Sequence, residues 1–268
     1  MTKLDGDALA GELRRERRQR LERYIIVAGS AVVFLSAWEV AGRLSNPLFF
    51  APVSEVVPEL VNGLMDPRAE LINGFRQTLG VLVPGFLLAC VLGVGLGVLM
   101  GRSNLAFQML EPFVTIFYNT PRVALIPILL LWLGVGDVLK IAIVVLAAIF
   151  PVSVNTMAGV RDVSAQLTEP ARSMGASEGQ LLLKVILPSA LPFIMTGLKL
   201  GLGRALTTVI VAEFFVSVSG LGGILHASSS SYQMAKMLVP AVILAVMGIA
   251  IDALLTWFEK MALRRYGS

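Results

Sequence analysis

The sequence is short of the groups that carry out covalent chemistry. His226 is its only histidine and Cys90 its only cysteine. That excludes a multi-histidine metal site, disulfides and any cysteine–metal framework, so no metal or cofactor is expected. No Gly-x-x-x-x-Gly-Lys-Ser/Thr run is present to cradle the phosphates of a nucleotide. Charge is scarce as well: 15% of residues are charged, against about 25% in a soluble globular domain. The surface of such a chain must largely face something other than water.

What the chain has instead is apolar length. It is 56% hydrophobic over 268 residues, with a mean hydropathy of +0.79. Runs of about 20 apolar residues suffice to cross a bilayer, and six spans are expected, at 24–41, 75–100, 105–133, 138–158, 189–216 and 238–261. Lipid leaves backbone groups no partner outside their own segment, so these runs predict helices and an all-α membrane protein. The third run is overlong and is interrupted by Pro121 and Pro127. Residues 1–23 form a polar arm with Arg14, Arg15, Arg17, Arg18, Arg20 and Arg23, and lack the apolar core of a leader peptide. With this arm inside, fourteen Lys and Arg residues fall in cytoplasmic segments and five on the other side. The asymmetry predicts both termini in the cytoplasm. It also accounts for the net charge of +4 without a nucleic-acid partner, so none is expected.

Three connections stand out. Residues 42–74, outside, are rich in proline and predict a short helix at 56–64. Residues 217–236, also outside, are rich in Gly and Ser and predict an irregular, partly re-entrant backbone, with Ser228–Ser231 as a solvated turn. Residues 161–188, inside, read as helix, stop, helix. Pro170 suits a first helical turn, with Glu169 beside it where a carboxylate is favoured. Gly175 suits a left-handed helix end, and Ser177 with Gln180 forms a capping-box pattern. The result is a short helix presenting Arg172, Ser173 and Met174 outward.

This loop resembles that of permease subunits of binding-protein-dependent ATP-binding-cassette importers. Their loop reads Glu-Ala-Ala, three residues, Gly, nine residues, Ile, one residue, Leu-Pro. Glu169, Ala171, Gly175, Leu187 and Pro188 hold the matching places here, Val185 replaces the Ile, and Pro170 replaces the first Ala. Further segments, among them Trp132-Leu133-Gly134, Ala212-Glu213 and Gly220-Leu221-Gly222, resemble the sulfonate, taurine and nitrate branch. The resemblance implies a type I importer (MetI-like) permease domain over 24–268 in the bacterial cytoplasmic membrane, surrounded by lipid. It implies a coupling helix whose residues Glu169, Ala171, Arg172, Ser173, Met174, Gly175 and Ala176 meet a separate ATPase subunit. It further implies two ATPase copies, a second permease copy in a homodimer, an extracytoplasmic substrate-binding protein and a small anionic solute. The chain itself is then no enzyme.

Glu111, Arg122, Arg204, Glu213 and Asp252 are ionisable groups expected at membrane depth, where each must face a partner or water. Arg122, Arg204 and Glu213 are candidates for a substrate path; alternatively, Arg204 pairs with Glu213 or Asp252 and holds the bundle together. Lys199 is expected to snorkel to the cytoplasmic edge. Gly93, Gly97 and Gly101, four residues apart, predict close helix packing within the subunit. Two competing readings are weaker. An ion-gradient carrier of repeated halves finds no internal repeat here. An intramembrane hydrolase would need Ser103 and His226 on the same side, and they are predicted on opposite sides.

Overall fold

The computed structural model describes residues 2–66, 68, 70–163, 165–216 and 219–266. The side chains of the N-terminal arginines and of Arg264 and Arg265, counted above for orientation, lie outside what is described, as does Ser217. Helices α1 (Thr2–Leu44), α2 (Val53–Met65), α3 (Glu70–Arg102), α4 (Asn104–Asn119), α5 (Ile126–Leu133) and α6 (Asp137–Asp162) make up the first part. They are followed by α7 (Ala165–Ser173), α8 (Glu178–Leu181), α9 (Leu187–Val216), α10 (Gly220–Ser230) and α11 (Met234–Tyr266). A 3₁₀ turn, Arg122–Leu125, precedes α5, and a π turn, Leu182–Ile186, joins α8 to α9. No strand occurs among the described residues.

Five helices are long and apolar enough to cross a membrane: Tyr24–Leu44, Glu70–Arg102, Asp137–Asp162, Glu178–Val216 and Met234–Met261. The overlong third run is not one straight span. Asn104–Asn119 and Arg122–Leu133 meet at a bend of 97°, and they give a sixth span only if taken together. Pro121 explains the bend. It has no N–H to continue the helix, and it drives the preceding residue out of the helical region; Thr120 is indeed extended, at ψ 131°. Side chains reinforce the end of α4 beside it. Thr120 Oγ1 donates to the Ile116 carbonyl (2.8 Å) and Asn119 Nδ2 to that of Thr115 (2.8 Å). Broken helices at membrane depth need such repairs.

The centre of the bundle is α6, held between α3 and α9. On α3, Gly85 and then, four residues apart, Gly93, Gly97 and Gly101 follow one face and meet Val144, Val152, Thr156 and Val160 of α6. A Cβ on Gly97 would stand 2.6 Å from the Ser153 carbonyl oxygen, and one on Gly101 2.6 Å from Val160. The expected close packing at Gly93, Gly97 and Gly101 is thus present, and within this chain. Ala89, Val144, Ala148, Ala205 and Val209 form the buried seam between the three helices. The span Tyr24–Leu44 within α1 stands almost wholly exposed and is tied to the rest at its C-terminal end. There Trp38 Nε1 donates to the Ala51 carbonyl (3.0 Å), and Glu39 accepts from the Ser54 N–H (3.0 Å) and hydroxyl (2.7 Å).

Two expectations need correction. The connection after α9 is not irregular: residues 220–230 are helical, with Gly220, Leu221, Gly222, Gly223 and Ile224 all buried. Ser228 is buried inside that helix, so the serine run is the end of α10, and only Ser231 and Tyr232 turn in solvent. Lys199 does not snorkel free, since its Nζ lies 2.7 Å from Glu259 of α11. The expected helix in 42–74 is present as α2.

The seam on α3 can be tested directly. Gly97→Leu should cost about 1–3 kcal/mol, the usual price of overpacking a filled core. Its thermal midpoint in detergent should fall well below that of Gly95→Leu, because a Cβ on Gly95 meets nothing within 4 Å.

Candidate functional site

Three groups of residues separate along the bundle. At one end, α7 projects from the termini of α6 and α9. It ends in a Schellman motif: the Ala176 N–H donates to the Ala171 carbonyl (3.0 Å) and the Gly175 N–H to that of Arg172 (2.9 Å). This closure requires a left-handed residue, and Gly175 supplies φ +81°. The capping box then starts α8, with the Ser177 hydroxyl accepting from the Gln180 N–H and Gln180 Oε1 accepting from the Ser177 N–H. Ala171 packs inward against Val160, Leu181 and Ile186. Outward lie Arg172, Ser173 and Met174, the last 88% exposed.

The start of this helix differs from expectation. α7 begins at Ala165, so Pro170 is interior and Glu169 lies in the second turn, exposed. Glu169 therefore does not serve as an N-terminal charge. Acid is supplied instead by Glu178, whose carboxylate joins Arg172 Nη2 at 3.3 Å to Arg102 at the end of α3. Sequence reading missed Glu178, and the capping box beside it was the available signal.

At the opposite end, Glu213 is wholly buried. It does not pair with Arg204. Its carboxylate accepts from the Thr78 hydroxyl of α3 (2.9 Å) and from the Gly222 N–H at the head of α10 (3.0 Å). The Thr78 oxygen accepts in turn from the Leu221 N–H (3.0 Å), and Gln77 Oε1 from the Gly220 N–H (2.8 Å). Gly220 sits at φ +70°, and a Cβ there would collide with the Glu213 carboxylate. The head of α10 is thus sewn onto α3 and α9. Lys140, also buried, extends the cluster by donating to Ser219 Oγ (3.1 Å) while pairing with Asp137 (2.7 Å).

The third group lies at the bend of the broken span. Arg122 donates to the Tyr118 carbonyl (3.1 Å), and the Arg204 guanidinium stands 5.0 Å from the centre of the Tyr118 ring. Neither has a carboxylate within ion-pair distance among the described residues. Elsewhere, Ser103 caps α4 by accepting from the Ala106 N–H (3.2 Å), and His226 packs edge-on against Phe214. They have separate structural roles and form no catalytic pair.

The described residues make an all-helical membrane bundle with a broken span and a projecting, tightly closed loop helix. Residues 93–264 match the family described as "Binding-protein-dependent transport system inner membrane component", and the chain belongs to that family. It is 32% identical over 255 residues to the taurine transport system permease protein TauC of Escherichia coli, spanning 92% of this chain and 89% of that one. It is 34% identical over 237 residues to the putative aliphatic sulfonates transport permease protein SsuC of Bacillus subtilis, spanning 87% and 84%. Its fold matches the MetNI methionine ABC transporter in an inward-facing crystal structure, with a TM-score of 0.64 at 22% identity over 73% of this chain and 97% of the other.

Thr78→Val keeps the shape of the side chain and removes its hydroxyl. It leaves the Glu213 carboxylate and the Leu221 N–H each short of a partner, so stability should fall by about 1–3 kcal/mol. Thermal unfolding of the purified chain measures this. An unchanged midpoint would mean that the cluster does not hold α10.

Proposed function

We propose that this chain, a permease subunit of an ATP-binding-cassette importer, carries a small sulfonate-type anion such as taurine and is driven through α7. The observation carrying this reading is the form of the 161–188 loop. Its helix is closed by Gly175, fixed inward by Ala171, and offers Arg172, Ser173 and Met174 with no partner in its own chain for the 88%-exposed Met174 side chain. An exposed apolar residue on a rigid, projecting helix suits a cleft in another protein. Glu169 and Ala176 flank the same surface. In this reading the partner is a separate ATPase subunit, present in two copies under a homodimer of permeases. An extracytoplasmic binding protein delivers the solute at the α2 and α10 end.

Orientation follows from the charge asymmetry: α7, the arm 1–23 and both termini are cytoplasmic. ATP binding draws the ATPases together, the loop helices follow, and the paired bundles open outward; hydrolysis reverses the motion. Arg122 and Arg204 stand on the substrate path. Glu213, bonded to Thr78 of α3 and to the head of α10, holds the wall of that path. The anionic solute is supported by the names of the two sulfur-compound permeases above and by the two arginines.

Gly175→Val tests the coupling. A β-branched residue in the left-handed region is strained by roughly 1–2 kcal/mol, and the Schellman closure would open. The variant should insert in membranes at normal yield yet lose most ATPase copurification and transport in proteoliposomes. Gly95→Ala, on an open face of α3, should retain both. Full coupling in Gly175→Val, or a wild-type chain with which no ATPase copurifies, would remove this reading.

A further inference from the structure

We propose that Arg122 and Arg204 together form a single oxyanion site at the bend of the broken span, binding the sulfonate or similarly charged head of the solute. The proposal rests on the permease reading but can fail separately from it. Two elements remote in sequence contribute, the 3₁₀ turn after Pro121 and the middle of α9. Both guanidiniums converge on Tyr118, one on its carbonyl and the other on its ring.

Several other cations around the bundle are paired. Lys140 has Asp137, Lys199 has Glu259, and Arg102 has Glu178. Of the acids expected at membrane depth, Glu111 accepts from Thr115, and Glu213 from Thr78 and Gly222. Two like charges at membrane depth, lacking an acid, are costly. An incoming anion would supply the missing counter-charge.

Spare donors are present. Arg122 Nε is buried and meets no acceptor among the described residues, and the one hydrogen bond from its Nη2 leaves the rest of its planar fork free. The Arg204 guanidinium lies over the Tyr118 ring, and no hydrogen bond occupies its N–H groups among the described residues. A fork suited to two oxygens at once fits a trigonal –SO₃⁻ head better than a neutral solute. The same chemistry would hold a lipid phosphate, so the test must separate the two.

The test uses the full chain in phosphatidylcholine nanodiscs, with thermal unfolding followed in sodium methanesulfonate against sodium chloride at equal ionic strength. The wild type should show a saturable rise in midpoint with methanesulfonate. Arg122→Gln and Arg204→Gln should each lose that rise, weakening apparent affinity about tenfold or more, and the double variant should be no worse than either single one. Arg204→Lys, which keeps the charge but loses the fork, should fall between. Lys236→Gln, which removes a cation paired with Glu70 at the far end, should behave as wild type. Absence of a rise in the wild type, or an equal rise in both glutamine variants, would overturn the site. A rise that appears only when phosphatidylglycerol replaces phosphatidylcholine, without methanesulfonate, would assign the pair to lipid and overturn it for the solute. None of these readouts involves the ATPase, so a failed copurification leaves this result standing on its own.

Discussion

A carboxylate shut away from water has to be surrounded by donors, and Glu213 finds its donors on two other helices. That requirement fixes much of the molecule. Thr78 must face α9, so the rotation of α3 is set. The head of α10 must bring its free N–H groups to the same point, where the partial positive charge of a helix N-terminus favours an anion. Gly220 and Gly222 are then dictated by contact, since a side chain on either would strike Glu213. One buried charge thus ties three helices together and decides which residues the Gly-rich stretch can hold.

The opposite end of α3 is built with weaker means. Arg102 reaches Glu178, and Glu178 reaches Arg172 on the loop helix, but the Glu178 and Arg172 side chains are about 60% exposed. Exposed pairs of this kind contribute about 0–1 kcal/mol, whereas breaking a buried, hydrogen-bonded charge costs several times more. Between the two ends, the glycine face of α3 binds it to α6 too tightly for the helices to slide independently. A rigid rod fixed firmly at one end and loosely at the other can be moved from the loose end. That asymmetry suits a loop whose displacement is passed along the bundle.

The features legible in the sequence were those whose cause is local. Gly175, the Ser177–Gln180 box and the four-residue glycine interval each follow from neighbours within one or two turns, and each stands in the structure as read. Pro121 likewise marked the break, although not its 97° bend, which depends on how α5 packs. The failures involve distant partners. Thr78 lies 135 residues from Glu213 and carries no signal that it will meet a carboxylate. α10 was hidden because Gly and Ser are poor helix formers, and burial against α3 and α9 overrode that preference. Lys199 was misread for the same reason, since its acid, Glu259, comes from the last helix. Pro170 misled in the other direction: a residue at home in a first turn was taken as the start of α7, yet a full turn precedes it.

The distribution of charge now has a pattern that composition alone concealed. Cations at both ends of the bundle have acids fitted to them, by short i,i+3 spacing in Lys140 with Asp137 or across helices in Lys199 with Glu259. At the bend by Pro121, Arg122 and Arg204 have no acid within ion-pair distance among the described residues. A chain that needed only to neutralise Arg122 and Arg204 could do so by placing one carboxylate on α4 or α6 within reach of Tyr118. Left open, the two guanidiniums would make the bend an electropositive point. Its field is strongest where water is scarce, because little dielectric screening remains. Such a point attracts an anion most when the surrounding helices part enough to admit one, so occupancy and the opening of the bundle would be linked.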